Sequence, residues 1–328
     1  MPPRRQALRS PSPLSRRGCP GPFSQLPCCS AWGTDPPTRR AAASWHARLP
    51  PEHRTLIFSV KLAGAPLGGA LAGLALPPVA ALAGWAAALW LAAGLALAAA
   101  LTIQPLRPVL DDEREPHRPI GPAALFAPAN LAAPFAALRL HPLLVPLSVL
   151  ACSFNAVQGC LFALTVAFLV EARGLTLVEA GAAYAVMQGT GVVGRLALGW
   201  LADRTGTPAR NLFLQALFAS GLTSIFVLLP PGAPVGLFLL AAGAAGFAAT
   251  SWGGLLLAEV ARLTPLERVT DATSGTVLVC FIGYSAGPML CAAAVSATGG
   301  WTAPMLVVAA QLAAMALALW PRAGGRRP

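Results

Sequence analysis

A chain of 328 residues with 56% hydrophobic and only 11% charged side chains, at a mean hydropathy of +0.64, is too apolar to cover soluble domains with a charged surface. Its net charge of +11 would suit a nucleic-acid binder if it were spread over a soluble fold, but eight arginines fall in the first fifty residues and most of the others sit in short gaps between apolar runs. That placement is the pattern of membrane topology signals and argues against nucleic acid as a partner.

Residues 1–50 are rich in Arg, Pro, Ser and Gly and contain no apolar stretch of signal-peptide type. They can bury no core. Two readings stand: a disordered basic segment lying near anionic lipid, or non-native sequence from a misplaced start or a shifted reading frame.

From residue 55 onward, apolar runs of about twenty residues recur, each long enough to cross a hydrocarbon core of roughly 30 Å. They fall at 55–77, 79–103, 142–170, 177–201, 210–230, 233–259, 271–296 and 302–320, which makes eight spans. Lipid offers no partner to a backbone amide, so each run has to be a helix unless the chain closes into a barrel. The Ala, Leu and Gly runs lack the two-residue alternation of a barrel strand.

The arginines orient these spans. The gaps at 104–141, 202–210 and 260–270 and the tail at 321–328 carry eleven of them, from Arg107 to Arg327. The alternate gaps near 78, 231 and 297–301 carry no Lys or Arg, and 171–176 carries only Arg173, beside Glu171. The positive-inside rule then places the arginine-rich gaps and the C-terminus in the cytoplasm. Within the 104–141 gap, Asp111 to Glu115 read as a solvated charge run.

One internal repeat stands out. Arg54, Ser59, Gly64-Ala65-Pro66 and Gly84-Trp85 parallel Arg268, Ser274, Ala286-Gly287-Pro288 and Gly300-Trp301, with a gap of several residues. Each unit reads as a cytoplasmic arginine, a Gly-rich helix, an outer turn opening on Gly-Trp, and a second helix.

Enzyme chemistry has little to stand on. There is no phosphate-cradling Gly-Lys-Ser/Thr loop, no HExxH, and no GxSxG in a suitable context. His46, His53, His117 and His141 lie in loops or the tail with no partner at ligand spacing, so neither metal nor cofactor is expected. Cys152, Cys160, Cys280 and Cys291 lie inside apolar runs and read as small packing residues.

The densest local motif runs from Gly199 through Trp200, Leu201, Ala202, Asp203, Arg204, Thr205 and Gly206 to Arg210, a tight cytoplasmic turn between two spans. Its glycines permit the turn, and Asp203 can accept from neighbouring helix N-termini and arginines. A charge cluster of this kind can latch and release adjacent bundles, and it can equally be a solvated loop capping two helices.

These residues carry a resemblance. The Gly-x-Leu-Ala-Asp-Arg-x-Gly pattern, read with Gly194-Arg195-Leu196, resembles the signature loop between the eighth and ninth helices of the major facilitator superfamily. Phe58-Ser59-Val60-Lys61 through Gly68-Gly69 to Gly84-Trp85 is similar to the fifth helix in its bacterial branch near the cyanate-transporter type, and Trp252 through Glu259 to Leu263 to the tenth helix and the loop after it. The resemblance covers roughly residues 51–322. It implies an all-α integral membrane fold whose eight spans correspond to helices five to twelve of a twelve-helix fold, with a substrate site at mid-membrane. Residues 51–103 are then the last two helices of an N-terminal bundle, 104–141 a cytoplasmic linker, 142–322 a six-helix bundle and 323–328 a cytoplasmic tail of an inner-membrane protein. Helices one to four, with the first copy of the signature loop, have no counterpart, which points to a truncated or mis-started product.

Polar side chains inside spans mark the expected site, since lipid disfavours them. Tyr184, Gln188, Gly191 and Arg195 share one helical face. Ser148, Cys152, Asn155, Gln158 and Thr165 form another, and Trp252 and Glu259 share a third. A buried Arg195 calls for an anion, and a carboxylate substrate offers bidentate pairing; transporters of the monocarboxylate and oxalate-exchanger types are similar in carrying an arginine there. Alternatively Arg195 pairs with Asp203 or a helix end and holds the inner gate. Lys61 is a second anion contact or a side chain snorkelling to the surface. Glu259 carries a proton, or it caps or pairs with the adjacent loop. The functional expectation is alternating-access transport of a small organic anion, driven by a proton or counter-substrate. The alternative is an inserted fragment that completes no pathway or partners a separately encoded N-terminal half.

Overall fold

The computed structural model describes residues 54–106, 128–205 and 207–324. The expectations for residues 1–50, for the charge run at 111–115, for Gly206 and for the final residues lie outside the described residues, as do the side chains of Lys61 and Asp203.

The described chain runs through α1 (Arg54–Ile103), α2 (Pro128–Ala137), α3 (Leu144–Ala167), α4 (Leu177–Thr205), α5 (Pro208–Leu228), α6 (Val235–Ala249), α7 (Gly253–Leu263), α8 (Val269–Thr298) and α9 (Thr302–Gly324), with no strand among the described residues. Among the described residues, six stretches are long and apolar enough to cross a membrane: Gly64–Ile103, Leu144–Arg173, Pro208–Leu228, Val235–Leu263, Leu266–Thr298 and Thr302–Trp320. The first holds two spans, one on either side of Gly84. With α4, whose apolar character is diluted by Gln188, Thr190, Arg195, Asp203 and Arg204, the total is eight. The fold is all-α and integral to the membrane.

Five features differ from expectation. The turn between the first two spans falls at Gly84, with φ 83° and ψ 162°, and not near 78, so Pro77 and Pro78 stay inside the helix. Proline removes a hydrogen bond but keeps a helical φ, whereas only glycine enters the left-handed half of the map without a steric penalty. Gly299 turns the α8–α9 connection in the same way, at φ 67°, one residue ahead of the Gly-Trp pair that marked it. The 104–141 gap contains α2. The third span continues past α3 through a π-helical turn, Phe168–Ala172. Finally, the 233–259 span is not continuous: it is interrupted at residues 250–252 between α6 and α7.

The helices associate in pairs. α8 runs along α3, α4 lies between the first limb of α1 and α6, and α5 lies between α6 and α9. Lipid tails are as apolar as leucine, so small residues that bring backbones together drive such pairing. A Cβ at Gly283 would strike the Cys152 carbonyl across the α3–α8 seam, and one at Gly246 would strike the Met187 carbonyl across the α4–α6 seam. Large apolar side chains point outward instead: Leu82, Trp90 and Phe218 are 90%, 78% and 67% exposed, which suits a lipid-facing surface. On the side opposite the signature loop, Arg173 ties three elements together. Its Nη2 donates to the Val227 carbonyl at 2.6 Å and to Thr302 Oγ1 at 3.2 Å, and its guanidinium lies over the Phe168 ring at 4.7 Å.

The seams predict a contrast within one helix. Gly246→Ala, which forces the Met187 backbone aside, should lower the thermal stability of the purified protein by roughly 1–3 kcal/mol. Gly236→Ala, with nothing within 4 Å of the new Cβ, should leave it unchanged or raise it slightly. Equal melting temperatures for the two variants would contradict the packing described.

Candidate functional site

The break in the sixth span organises the polar interior. A helix leaves its last four carbonyls without intrahelical partners, and inside a membrane no water substitutes for them. Here side chains meet three of these carbonyls, and the Thr250 backbone N–H also donates to that of Gly246, at 3.1 Å. Thr250 Oγ1 donates to the Gly246 carbonyl at 2.9 Å, and Ser251 Oγ donates to Phe247 O. From α5, Gln215 Nε2 reaches the Ala248 carbonyl at 2.8 Å and Ser251 Oγ at 2.9 Å. From α4, Arg195 Nε donates to the Thr250 carbonyl at 3.0 Å. From α3, Gln158 Oε1 accepts the indole N–H of Trp252 at 2.9 Å, and Phe154 stacks on the same indole, with centroids 5.6 Å apart and planes 20° apart. Three neighbouring helices thus each place one polar side chain at the interruption. Gln158, Arg195, Gln215, Thr250, Ser251 and Trp252 are all buried.

The α7 side of the break is different. Trp252 occupies the N-cap position of α7 and gives its first amides no side-chain hydrogen bond. A helix N-terminus carries partial positive charge, and the Thr250 carbonyl to which Arg195 donates lies two residues before the Trp252 N-cap. The break therefore combines carbonyls that accept from side chains with a helix N-terminus that its N-cap residue leaves without a side-chain partner.

The expected site residues separate into groups. Arg195, Gln158 and Trp252 meet at the break. Asn155 is half-buried one turn before Gln158 on α3. Tyr184 and Gln188 share a helical face with Arg195 but turn toward α1, where Gly69 abuts the Gln188 side chain. Gln188 Nε2 donates to the Tyr184 hydroxyl at 2.9 Å, its Oε1 is buried without a hydrogen-bond partner, and Phe162 meets the Tyr184 ring edge-on at 6.3 Å. The proposed α3 face is divided as well. Ser148 donates to Thr276 Oγ1 of α8 at 3.1 Å, away from Gln158. Glu259 does not join Trp252. It lies two turns further along α7, fully buried, and receives both Nε and Nη2 of Arg262 at 2.8 Å and 2.6 Å. In the signature loop, Gly199 is buried, Arg204 lies over the Trp200 ring at 4.0 Å, and Arg210 is exposed.

Sequence reasoning passed over Thr250, Ser251 and Gln215. A glutamine in the apolar run of α5 was the available signal, because an amide in lipid has to find a partner. Several cavities accompany the described bundle. One of about 520 Å³ lies between α3, α8 and α9, apolar and lined by residues such as Gly287, Leu290 and Val307, and includes none of Arg195, Gln158 or Trp252. A second of about 280 Å³ lies beside the break and is lined by Asn211, Gln215, Phe247 and Ala248 among others. The membrane cysteines are free, and Cys291 packs with its Sγ 3.7 Å from Met305 Sδ.

A multi-pass helical bundle that interrupts a spanning helix and gathers a cation, two amides and an indole at the interruption has the construction of a membrane carrier. The chain belongs to the Major Facilitator Superfamily, whose family model matches residues 40–288. It is thus a transporter-type membrane protein, in a family made up of transporters and not of enzymes. A comparison with curated proteins returns no match.

The Trp252–Gln158 pair yields a test. Gln158→Leu leaves a buried indole N–H without a partner and should cost about 1–3 kcal/mol in thermal unfolding. Adding Trp252→Phe removes the orphaned donor and should recover most of that loss. Additive losses in the double variant would show that the two side chains are not coupled.

Proposed function

We propose that this chain forms part of a secondary active transporter for a small organic anion, working by alternating access, with its anion contact at the break between α6 and α7. The observation that carries this reading is the buried Arg195 guanidinium facing an interrupted helix whose α7 amides lack a side-chain cap. Discontinuous spans with helix N-termini directed at anionic groups are a recurrent way to bind substrate at mid-membrane. Gln158, Trp252 and Asn155 supply orientation around the anion. Tyr184 and Gln188 at the α1 seam, with Lys61, complete the proposed lining. The motif Gly199, Asp203, Arg204, Gly206 and Arg210 is proposed as the inner gating loop. The spans are proposed as helices five to twelve of the bacterial cyanate-type branch, in an inner membrane with the C-terminus in the cytoplasm.

Uptake of a panel of labelled small carboxylates into proteoliposomes tests this. The chain is compared as it stands and joined to the first four helices of a major facilitator bundle. Arg195→Ala should reduce uptake at least thirtyfold, the equivalent of about 2 kcal/mol for truncating a buried charge contact, while membrane insertion is retained. Arg195→Lys should recover little, because the ammonium lacks the planar fork. Uptake indifferent to Arg195→Ala would remove the anion site from Arg195.

Glu259 is the proposed proton carrier. A buried carboxylate whose arginine partner is itself largely exposed can exchange that partner for a proton. Glu259→Gln should abolish acceleration of uptake by an inward proton gradient yet leave exchange of labelled for unlabelled anion within about twofold. If gradient-driven uptake survives in Glu259→Gln, the counter-substrate is the driving partner.

A further inference from the structure

The N-terminal turns of α5 connect two features that are distant in sequence. Asn211 Nδ2 donates to Thr205 Oγ1 at 2.6 Å, joining α5 to the last turn of α4 at the signature loop. One turn on, Gln215 Nε2 holds the Ala248 carbonyl and Ser251 Oγ at the break. Residues four apart lie on one helical face, and both side chains line the same cavity of about 280 Å³, together with Phe247 and Ala248. The amide orientation of Gln215 is fixed by its partners: the Ala248 carbonyl can only accept, so Nε2 has to face it, and Oε1 is left buried without a hydrogen-bond partner. Neighbouring space and a half-satisfied amide give this contact an alternative to move to, which a closely packed apolar contact lacks.

We propose that Asn211 and Gln215 are positioning residues that transmit the state of the signature loop to the 250–252 break, and so to the Thr250 carbonyl that Arg195 holds. Their relevance to transport rests on the break being the substrate site, but the coupling itself does not. Both contacts lie on one rigid helix, so a shift of the α4–α5 turn along the membrane normal carries Gln215 with it. The break residues then either follow or give up two hydrogen bonds.

Hydrogen–deuterium exchange of the full chain in lipid nanodiscs, read on peptides covering 247–256, tests this without any substrate. Thr205→Ala removes the loop contact at an exposed position, and exchange at the break should rise at least threefold, with α9 peptides unchanged. Gln215→Met keeps side-chain volume, removes both break contacts and should raise exchange there about tenfold. The decisive result is the combination: in a Gln215→Met background, Thr205→Ala should add nothing. If Gln215→Met does not fold, Ser251→Ala, which deletes one of the two Gln215 contacts, should shrink the effect of Thr205→Ala. Independent, multiplying effects, or no response of the break to Thr205→Ala, would overturn the proposal. A chain that carries no anion can still show the coupling, and an anion carrier can lack it, so the two failures are distinguishable.

Discussion

Inside a hydrocarbon layer a backbone carbonyl without a partner costs several kcal/mol, and there is no water to rescue it. That constraint decides how this protein builds its interior. Most spans satisfy it locally, by remaining helical from end to end. The span from Val235 to Leu263 does not: its own Thr250 and Ser251, with Arg195 of α4 and Gln215 of α5, donate to carbonyls at the break, while Gln158 of α3 accepts the Trp252 indole N–H. Several of the buried polar residues are therefore placed where an interrupted helix has to be completed.

The same constraint joins stability to function. A helix break completed by its neighbours is stable only while those neighbours stay in register, so the break reports on the relative position of α3, α4 and α5. Small-residue seams at Gly246 and Gly283 keep the backbones close enough for short side chains to reach across. On the opposite side, Arg173 performs a comparable task for the ends of α5 and α9. The contrast lies in exposure: Arg195 is buried at 9%, while Arg173 is only partly covered near a helix end.

Much of the architecture was legible in the sequence, because apolar length and arginine placement are the signals that a membrane imposes. Eight spans and an all-α fold follow from them, whereas the family was legible in local motifs, above all the loop from Gly199 to Gly206. Boundaries set by a single residue were less legible. The gap expected near 78 falls instead at Gly84, where the Gly-Trp pair marked the outer turn and the chain takes a φ of 83°. The break at Thr250–Trp252 left almost no trace in hydropathy, since Thr-Ser-Trp interrupts neither the apolar run nor its charge pattern. Helical-face reasoning placed Tyr184, Gln188 and Arg195 together, and they do share a face. Eleven residues of helix rise by about 16 Å, so the two ends of that face meet different neighbours, α1 at one and the break at the other.

Glu259 and Arg195 show why a buried charge cannot be assigned a role from its position alone. Both are enclosed by spans, yet they are compensated differently. Glu259 has a bidentate cation three residues away on its own helix, a pairing that persists if that helix moves as a unit. Arg195 is bonded to a carbonyl on a different helix, at a point where the backbone is already irregular, so its environment changes whenever α4 and α6 shift against each other. A substrate gate has to change its contacts between two states, since only a difference between the states can be driven by ligand or gradient. Of the two buried charges it is Arg195 whose carbonyl partner lies across a seam between helices, and a carrier using this break would feel its substrate there first.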